Sequence, residues 1–224
     1  MEVASVLRVL LVGPPGAGKG TQAALLASAA AVPHLSTGEM FRQAVAHGTP
    51  TGERVRALLE RGVLVPDDVT VGVVRERLAS ADCERGFVLD GFPRTIPQAL
   101  ALDEMLLELG LVLDAAVALT VPRDVLVARL TGRRVCPQCG GVYQVSGGPP
   151  GVEARCPRCG TVLVARDDDR PEVQARRLEV YALETAPLLE YYARDGRLVA
   201  VDGDRPVEKV ASSLRAAIDG RMRR

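Results

Sequence analysis

Gly13-Pro14-Pro15-Gly16-Ala17-Gly18-Lys19-Gly20-Thr21 decides the fold of this chain of 224 residues. It follows the apolar run Val6-Leu7-Arg8-Val9-Leu10-Leu11-Val12 and opens an Ala/Leu-rich helical pattern over residues 21–31. A strand, a glycine loop and a helix in that order make G-x-x-x-x-G-K a phosphate cradle. The glycines let the backbone approach an anion. Successive N–H groups then point inward as a nest, and the helix N-terminus adds partial positive charge. Lys19 supplies a mobile ammonium for the outer phosphates of a nucleotide. The common pattern places Ser or Thr directly after the lysine as a magnesium ligand, whereas here Gly20 stands there and Thr21 follows. The loop points to a nucleoside triphosphate and leaves the reaction open.

Outward from the loop, strands alternate with helices. Val32-Pro33-His34-Leu35, Gly86-Phe87-Val88-Leu89-Asp90, residues 114–121 and Val199-Ala200-Val201-Asp202-Gly203 read as further strands. They are apolar on both faces, which predicts an α/β fold with a parallel five-stranded sheet covered by helices on both faces. Ligands of such folds gather at the carboxyl ends of the strands. Gly13, Asp90 and Arg94 fall there, and Asp90 reads either as holding magnesium through water or as an N-cap or turn aspartate.

Two stretches leave this rhythm. Residues 36–65 form a helical excursion, with Ser36 or Thr37 as N-cap and Glu39 as its capping-box partner. Arg42 lies early in that helix, where the dipole does not favour a cation; it reads either as an anion contact or, as the motif alone favours, as a solvated surface arginine. His34 and His47 show no partner pattern and read as structural or surface residues. The second stretch, 132–170, carries Cys136-Pro137-Gln138-Cys139-Gly140 and Cys156-Pro157-Arg158-Cys159-Gly160. Two such turns present four thiolates to one tetrahedral ion, zinc or iron, with no open position, so the site reads as structural. It would staple a module too small for its own core. Cys83 has no partner and reads as a small buried hydrophobe. Beyond the insert, Pro187 should interrupt a long helix that starts after Pro171.

Composition sets limits. The formal net charge is zero, with 28 basic and 28 acidic residues, which argues against broad nucleic-acid binding. Met1-Glu2-Val3-Ala4-Ser5 has no basic region, and no apolar run is long enough to span a bilayer, so a cytoplasmic enzyme without membrane contact is expected. Lys19 and Lys209 are the two lysines, leaving 26 arginines among the 28 basic residues, and asparagine is absent. The guanine-reading N-K-x-D motif therefore cannot exist here. The arginine bias accompanies thermophily or GC-rich coding equally well.

Arg42, Arg94, Arg129, Arg133, Arg134, Arg166 and Arg177 all lie near strand ends, the excursion or the insert borders. Phosphoryl transfer between two nucleotides needs such a ring of guanidiniums, a magnesium ion and flaps that exclude water. At this point the chain resembles the adenylate kinase family in its long-lid, zinc-bearing form, over essentially its whole length. The matching stretches are the residue 13–21 loop, Ser36-Thr37-Gly38-Glu39-Met40-Phe41-Arg42, Asp90-Gly91-Phe92-Pro93-Arg94, Gly132-Arg133-Arg134-Val135 and Arg166-Asp167-Asp168. In that family Gly follows the loop lysine.

The resemblance implies ATP + AMP ⇌ 2 ADP on a P-loop nucleoside-kinase fold. The core would be 1–35, 66–131 and 171–224, with an AMP-binding insertion at 36–65 and a metal-stapled lid at 132–170. It implies Lys19, Asp90, Arg94, Arg133, Arg166 and Arg177 as catalytic. ATP would be held by Gly16, Ala17, Gly18, Lys19, Gly20, Thr21, Arg129, Arg133, Val142, Tyr143 and Arg205. AMP would be held by Thr37, Arg42, Val63, Leu64, Val65, Gly91, Phe92, Pro93, Arg94, Gln98, Arg166 and Arg177. Cys136, Cys139, Cys156 and Cys159 would bind a structural Zn²⁺, Mg²⁺ would come with ATP, and the protein would act as a monomer. The rival readings are a kinase for another nucleoside monophosphate and a zinc ribbon that binds nucleic acid. Against the latter stand the zero net charge and an aromatic set of four tyrosines and three phenylalanines.

Overall fold

The computed structural model describes residues 6–145 and 153–223. The N-terminal stretch read above for a leader, and residues 146–152 of the insert, lie outside the described residues. The strands are β1 (Leu7–Val12), β2 (His34–Ser36), β3 (Gly86–Asp90), β4 (Ala115–Thr120), β5 (Arg133–Val135), β6 (Val142–Gln144) and β7 (Leu198–Asp202). Five of them form one parallel sheet in the order β2-β3-β1-β4-β7, with Val9 of β1 opposite Val88 on one side and Ala115 on the other. The expected five-stranded parallel sheet is present. The chain fills one side of β1 with β2 and β3, then crosses to β4 on the other side. The residue 13–21 loop leaves β1 at this topological switch, the place where such sheets open a crevice.

Alternation along β1 builds two cores. Leu10 and Val12 join Leu35, Leu89, Leu102, Leu188 and Tyr192 on one face. The helices there are α4 (Asp67–Leu78), α5 (Ile96–Glu108) and α8 (Pro187–Arg194). Leu7, Val9 and Leu11 join Ala23, Ala27, Leu126, Leu214 and Ile218 on the other, under α1 (Lys19–Ala30), α6 (Arg123–Gly132) and α9 (Val207–Met222). Every residue of β3 is buried, which is why its sequence shows no polar alternation.

The excursion consists of α2 (Thr37–Ala46) and α3 (Pro50–Arg61) around a small core of Phe41, Val55 and Val65. Thr49 caps α3 by accepting from the Gly52 N–H at 3.1 Å. The capping box expected at Ser36 and Glu39 does not form. Ser36 is the N-cap residue but makes no side-chain cap. Thr37 donates instead to the Gly91 carbonyl at 2.7 Å, and Glu39 accepts from Arg42. A tertiary hydrogen bond and an ion pair outcompete the local cap.

Helix α7 (Pro171–Val180) runs into a five-residue π turn, Tyr181–Thr185, before α8. The Ala186 N–H donates to the Tyr181 carbonyl at 2.8 Å. The interruption expected at Pro187 thus appears as a widened turn just before it. The insert is a small β module, with β5 antiparallel to β6 and bridges joining Val135 to Val164 and Arg155 to Val162. No described helix is long and apolar enough to cross a membrane.

Gly86 sets the closest approach between β1 and β3. Its φ is 128°, and a Cβ there would overlap the Leu7 backbone. Gly86→Ala should therefore lower unfolding free energy by about 2 kcal/mol or more, read as a fall in denaturant midpoint at constant m-value. An unchanged midpoint would contradict this packing.

Candidate active site

The loop after β1 is shaped by left-handed glycines, Gly16 at φ 85° and Gly18 at φ 93°. Gly18 caps α1 without a side-chain hydrogen bond, so the first N–H groups of the helix face the loop interior uncapped. Lys19 folds over this cradle and donates to the carbonyls of Gly13 at 2.7 Å and Pro14 at 3.0 Å. Gly20 has a local reason. A Cβ at that position would lie 3.3 Å from Asp90 Oδ2, so glycine leaves room for the carboxylate at the end of β3. Asp90 is also met by His34, whose Nε2 lies 3.6 Å from Asp90 Oδ2. His34, structural or surface on its sequence pattern, is brought to Asp90 by the pairing of β2 with β3.

Two neighbouring cavities open at the carboxyl ends of the strands. The first is lined by Gly13, Pro15, Lys19, Pro93, Arg94, Arg177, Tyr181 and Thr185. The second is lined by Thr37, Phe41, Leu59, Val63, Leu64, Val65, Gly91, Arg94 and Gln98. Arg94, Leu64 and Gly91 belong to both walls. Arg94 is fixed from three directions. Its Nε donates to the Gly91 carbonyl at 2.8 Å, its N–H to Gln98 Oε1 at 2.8 Å, and its carbonyl accepts from Thr185 at 2.8 Å. Tyr181 and Thr185 were not singled out in the sequence; the π turn carries both to the cavity, and such turns cluster at functional sites.

The site holds positive charge in poor solvent. Burial pushes the Lys19 ammonium down to about 8; Asp90 opposes this, and Arg94, Arg177 and Arg133 add to it. Burial, then Arg177, lowers Arg94 to about 10, with Asp90 opposing. Burial, then Arg42 and Arg133, lowers Arg166 to about 10, with Asp168 and Asp169 opposing. Burial lowers Arg177, opposed by Asp168. Burial alone would raise Asp90, but His34, Lys19 and Arg94 outweigh it and hold the carboxyl below its usual range. An acid kept ionised beside an anion cradle fits a water-mediated divalent cation.

Two aspartates before α7 hold part of this cluster. Asp168 accepts from Arg177 at 2.7 Å, and Asp169 takes Arg133 through both carboxylate oxygens. Asp169 is 3% exposed. Arg42 lines neither of these two cavities and pairs with Glu39 at 3.1 Å; the anion site expected there carries its own counter-charge. Gln98 is also engaged, its Nε2 donating to Asp67 Oδ1 at 2.7 Å. Phe92 is fully buried in the core and Pro93 faces the first cavity.

Other expected residues lie apart from the cavities. Arg129 donates to the Gly203 carbonyl at 3.0 Å, and Arg205 lies on the same connection, within 3.4 Å of Ser213 Oγ. Val142 is exposed, and the Tyr143 hydroxyl lies 3.3 Å from Cys156 Sγ. The Tyr143 hydroxyl is thus turned toward the cysteines.

The four cysteines converge as expected. Cys136 and Cys159 sulfurs are 3.4 Å apart, Cys139 and Cys156 sulfurs 3.6 Å, and all four lie within 4.8 Å of one another. Thiolates at metal-bond length around a tetrahedral zinc would be about 3.8 Å apart, so the set fits one ion. Each turn closes the same way: Gly140 and Gly160 adopt left-handed φ of 68° and 74° and donate to the carbonyls of Cys136 and Cys156. Against the cost of burial, the Tyr143 hydroxyl and the N–H groups of Arg158 and Cys159 hold the Cys156 thiol down to about 6. Cys83 is buried and its thiol is pushed up to about 11 by that burial, as befits a core residue.

A family model described as adenylate kinase matches residues 11–197. An adenylate kinase of Symbiobacterium thermophilum is 50% identical over 212 residues, covering 95% of this chain and 98% of the relative. One of Salinispora tropica is 52% identical over 204 residues, covering 91% and 94%. One of Carboxydothermus hydrogenoformans is 48% identical over 212 residues, covering 95% and 99%.

Metal removal tests the cysteine cluster. A chelator should lower the melting temperature by several degrees, and added Zn²⁺ should restore it, because an ion bound only to the folded state stabilises it. Cys156→Ser should abolish the response. A melting temperature indifferent to chelator and zinc in protein of measured metal content would refute the site.

Proposed function

The chain belongs to the adenylate kinase family, and from that premise we propose how its residues carry the family's reaction. The enzyme is an ATP:AMP phosphotransferase that converts ATP and AMP reversibly into two ADP. On our reading the residue 13–21 loop, with Gly16, Ala17, Gly18, Lys19, Gly20 and Thr21, holds the donor phosphates. The second cavity takes AMP between Thr37, residues 63–65 and Gln98. Residues 36–65 act as the acceptor flap and 132–170 as the lid. Arg129, Arg133, Val142, Tyr143 and Arg205 meet ATP once the lid closes. The protein works as a monomer.

One observation carries this reading: Arg94 forms a wall common to both cavities, next to Lys19 and Arg177. A phosphoryl group passing between the cavities would meet cations that are already placed and partly desolvated. Such preorganised charge lowers the barrier without a covalent nucleophile. Lys19 would leave the Gly13 and Pro14 carbonyls for the donor phosphates. Arg133 and Arg177 would be held in reach by Asp169 and Asp168, and Arg166 would add its charge at the same point. Asp90 would hold magnesium arriving with ATP through the ion's water shell, and the ion would supply charge neutralisation at the donor phosphates. The cysteine cluster is proposed as a zinc site with a structural role, since four protein ligands leave no open position.

Arg94→Ala should lower kcat/KM for ADP formation by roughly 10²–10³-fold, the scale of losing one preorganised charge donor, measured with ATP and AMP in a coupled assay. A rate within a few-fold of the parent would sink the assignment. The low pKa of Lys19 gives a pH prediction. The free enzyme loses this charge as pH rises through about 8, so kcat/KM for ATP should be level below that pH and fall above it. A profile flat to pH 10 would contradict it.

A further inference from the structure

The Gln98 amide can adopt only one orientation. Asp67 Oδ1 takes the amide nitrogen at 2.7 Å, and the Arg94 N–H meets the amide oxygen at 2.8 Å. An ionised carboxylate only accepts and a backbone N–H only donates. Exchanging the amide's oxygen and nitrogen would set oxygen against oxygen and N–H against NH₂. Asp67 is itself held. Its Oδ2 accepts from the Thr95 hydroxyl at 3.0 Å, and that hydroxyl accepts from the Gln98 N–H at 3.3 Å. The first turns of α4 and α5 thus share one network, with every donor and acceptor sense defined. Gln98 is 1% exposed yet lines the second cavity beside Thr37 and Val65. After these bonds one Nε2 hydrogen and one Oε1 lone pair remain on the amide.

We propose that Asp67 is a specificity-determining positioning residue. By locking the polarity of the Gln98 amide, it makes the acceptor pocket read a 6-aminopurine and reject a 6-oxopurine. The inference rests on the reading of the second cavity as the AMP site. Adenine offers an acceptor at N1 and a donor at its 6-amino group. Hypoxanthine and guanine offer the reverse, a donor at N1 and an acceptor at O6. An amide free to flip serves either edge, because it carries both a donor and an acceptor. An amide clamped between a pure acceptor and a pure donor serves one. A buried polar pair left mismatched loses its hydrogen bonds and is penalised for desolvation.

The test compares AMP with IMP, which reverses this edge and leaves the ribose and phosphate alone. Wild type should prefer AMP. In Asp67→Asn the partner amide can itself flip and pair with Gln98 in either sense, so one of the two locks is removed and the Arg94 N–H remains as the other. The AMP:IMP ratio of kcat/KM should fall about tenfold, the scale of one ordinary hydrogen bond, chiefly through KM. Asp67→Ala should move the ratio in the same direction. If both fail to fold by thermal melting, Thr95→Val, which frees Asp67 Oδ2, should shift the ratio by a smaller factor. A merely structural role would weaken both acceptors alike and leave the ratio in place. A ratio within twofold of wild type in the folded variants overturns the proposal. A wild type that phosphorylates IMP as well as AMP overturns the acceptor reading, and the proposal with it.

Discussion

The structure depends on keeping several cations close together and out of water without giving each a private counter-ion. Lys19, Arg94, Arg166 and Arg177 all lose proton affinity to burial, and other members of the cluster lower them further. Such a group is unfavourable in an isolated domain, because desolvation of a charge costs several kcal/mol even after relaxation. The rigid sheet sustains it. Buried strands on both sides of β1 anchor the loop; Asp90, Asp168 and Asp169 offset part of the repulsion, and Asp168 and Asp169 also fix the directions of Arg177 and Arg133. What is left over is positive charge at the cavity wall of Lys19, Arg94 and Arg177, the preorganised charge proposed above to meet a polyphosphate.

Backbone shape makes that concentration of charge possible. The order β2-β3-β1-β4-β7 puts the loop at the switch point, with the end of β3 beside it. Gly20 clears the space that the Asp90 carboxylate approaches. The π turn and Pro187 then bend the chain so that Thr185 reaches the Arg94 carbonyl. The Arg94 guanidinium is thus set by the neighbouring Gly91 carbonyl, while its backbone is held by Gln98 and by the distant Thr185. The cysteine module stands outside this arrangement and is organised by its own sulfur cluster, consistent with a small β unit that has little apolar core.

Much of this was legible in the sequence, for identifiable reasons. Strands buried on both faces leave unbroken apolar runs, so β1, β3 and β4 could be read directly. The residue 13–21 loop and the two Cys-Pro-x-Cys-Gly turns are local motifs whose spacing carries their geometry. The illegible part is tertiary. His34 reaches Asp90 only through the pairing of β2 with β3, and Asp67 reaches Gln98 only because α4 packs beside α5. Tyr181 lines the first cavity because the π turn changes the direction of the helix face just there. The Ser36 and Glu39 cap was sound as local chemistry and lost to partners that no window of sequence contains. Tyr143 shows the same limit, since its hydroxyl faces Cys156 across the module.

Crowded, desolvated cations that await a polyphosphate should take up protons when one binds. At pH 8 a Lys19 ammonium with a pKa of about 8 is half protonated in the free protein, and an arriving polyphosphate should return it to full charge. Calorimetric titration with MgATP at pH 8, in buffers of different ionisation enthalpy, should therefore report uptake approaching about half a proton per site. Lys19→Met should report none. Binding heats that do not depend on the buffer in the wild-type protein would contradict the account.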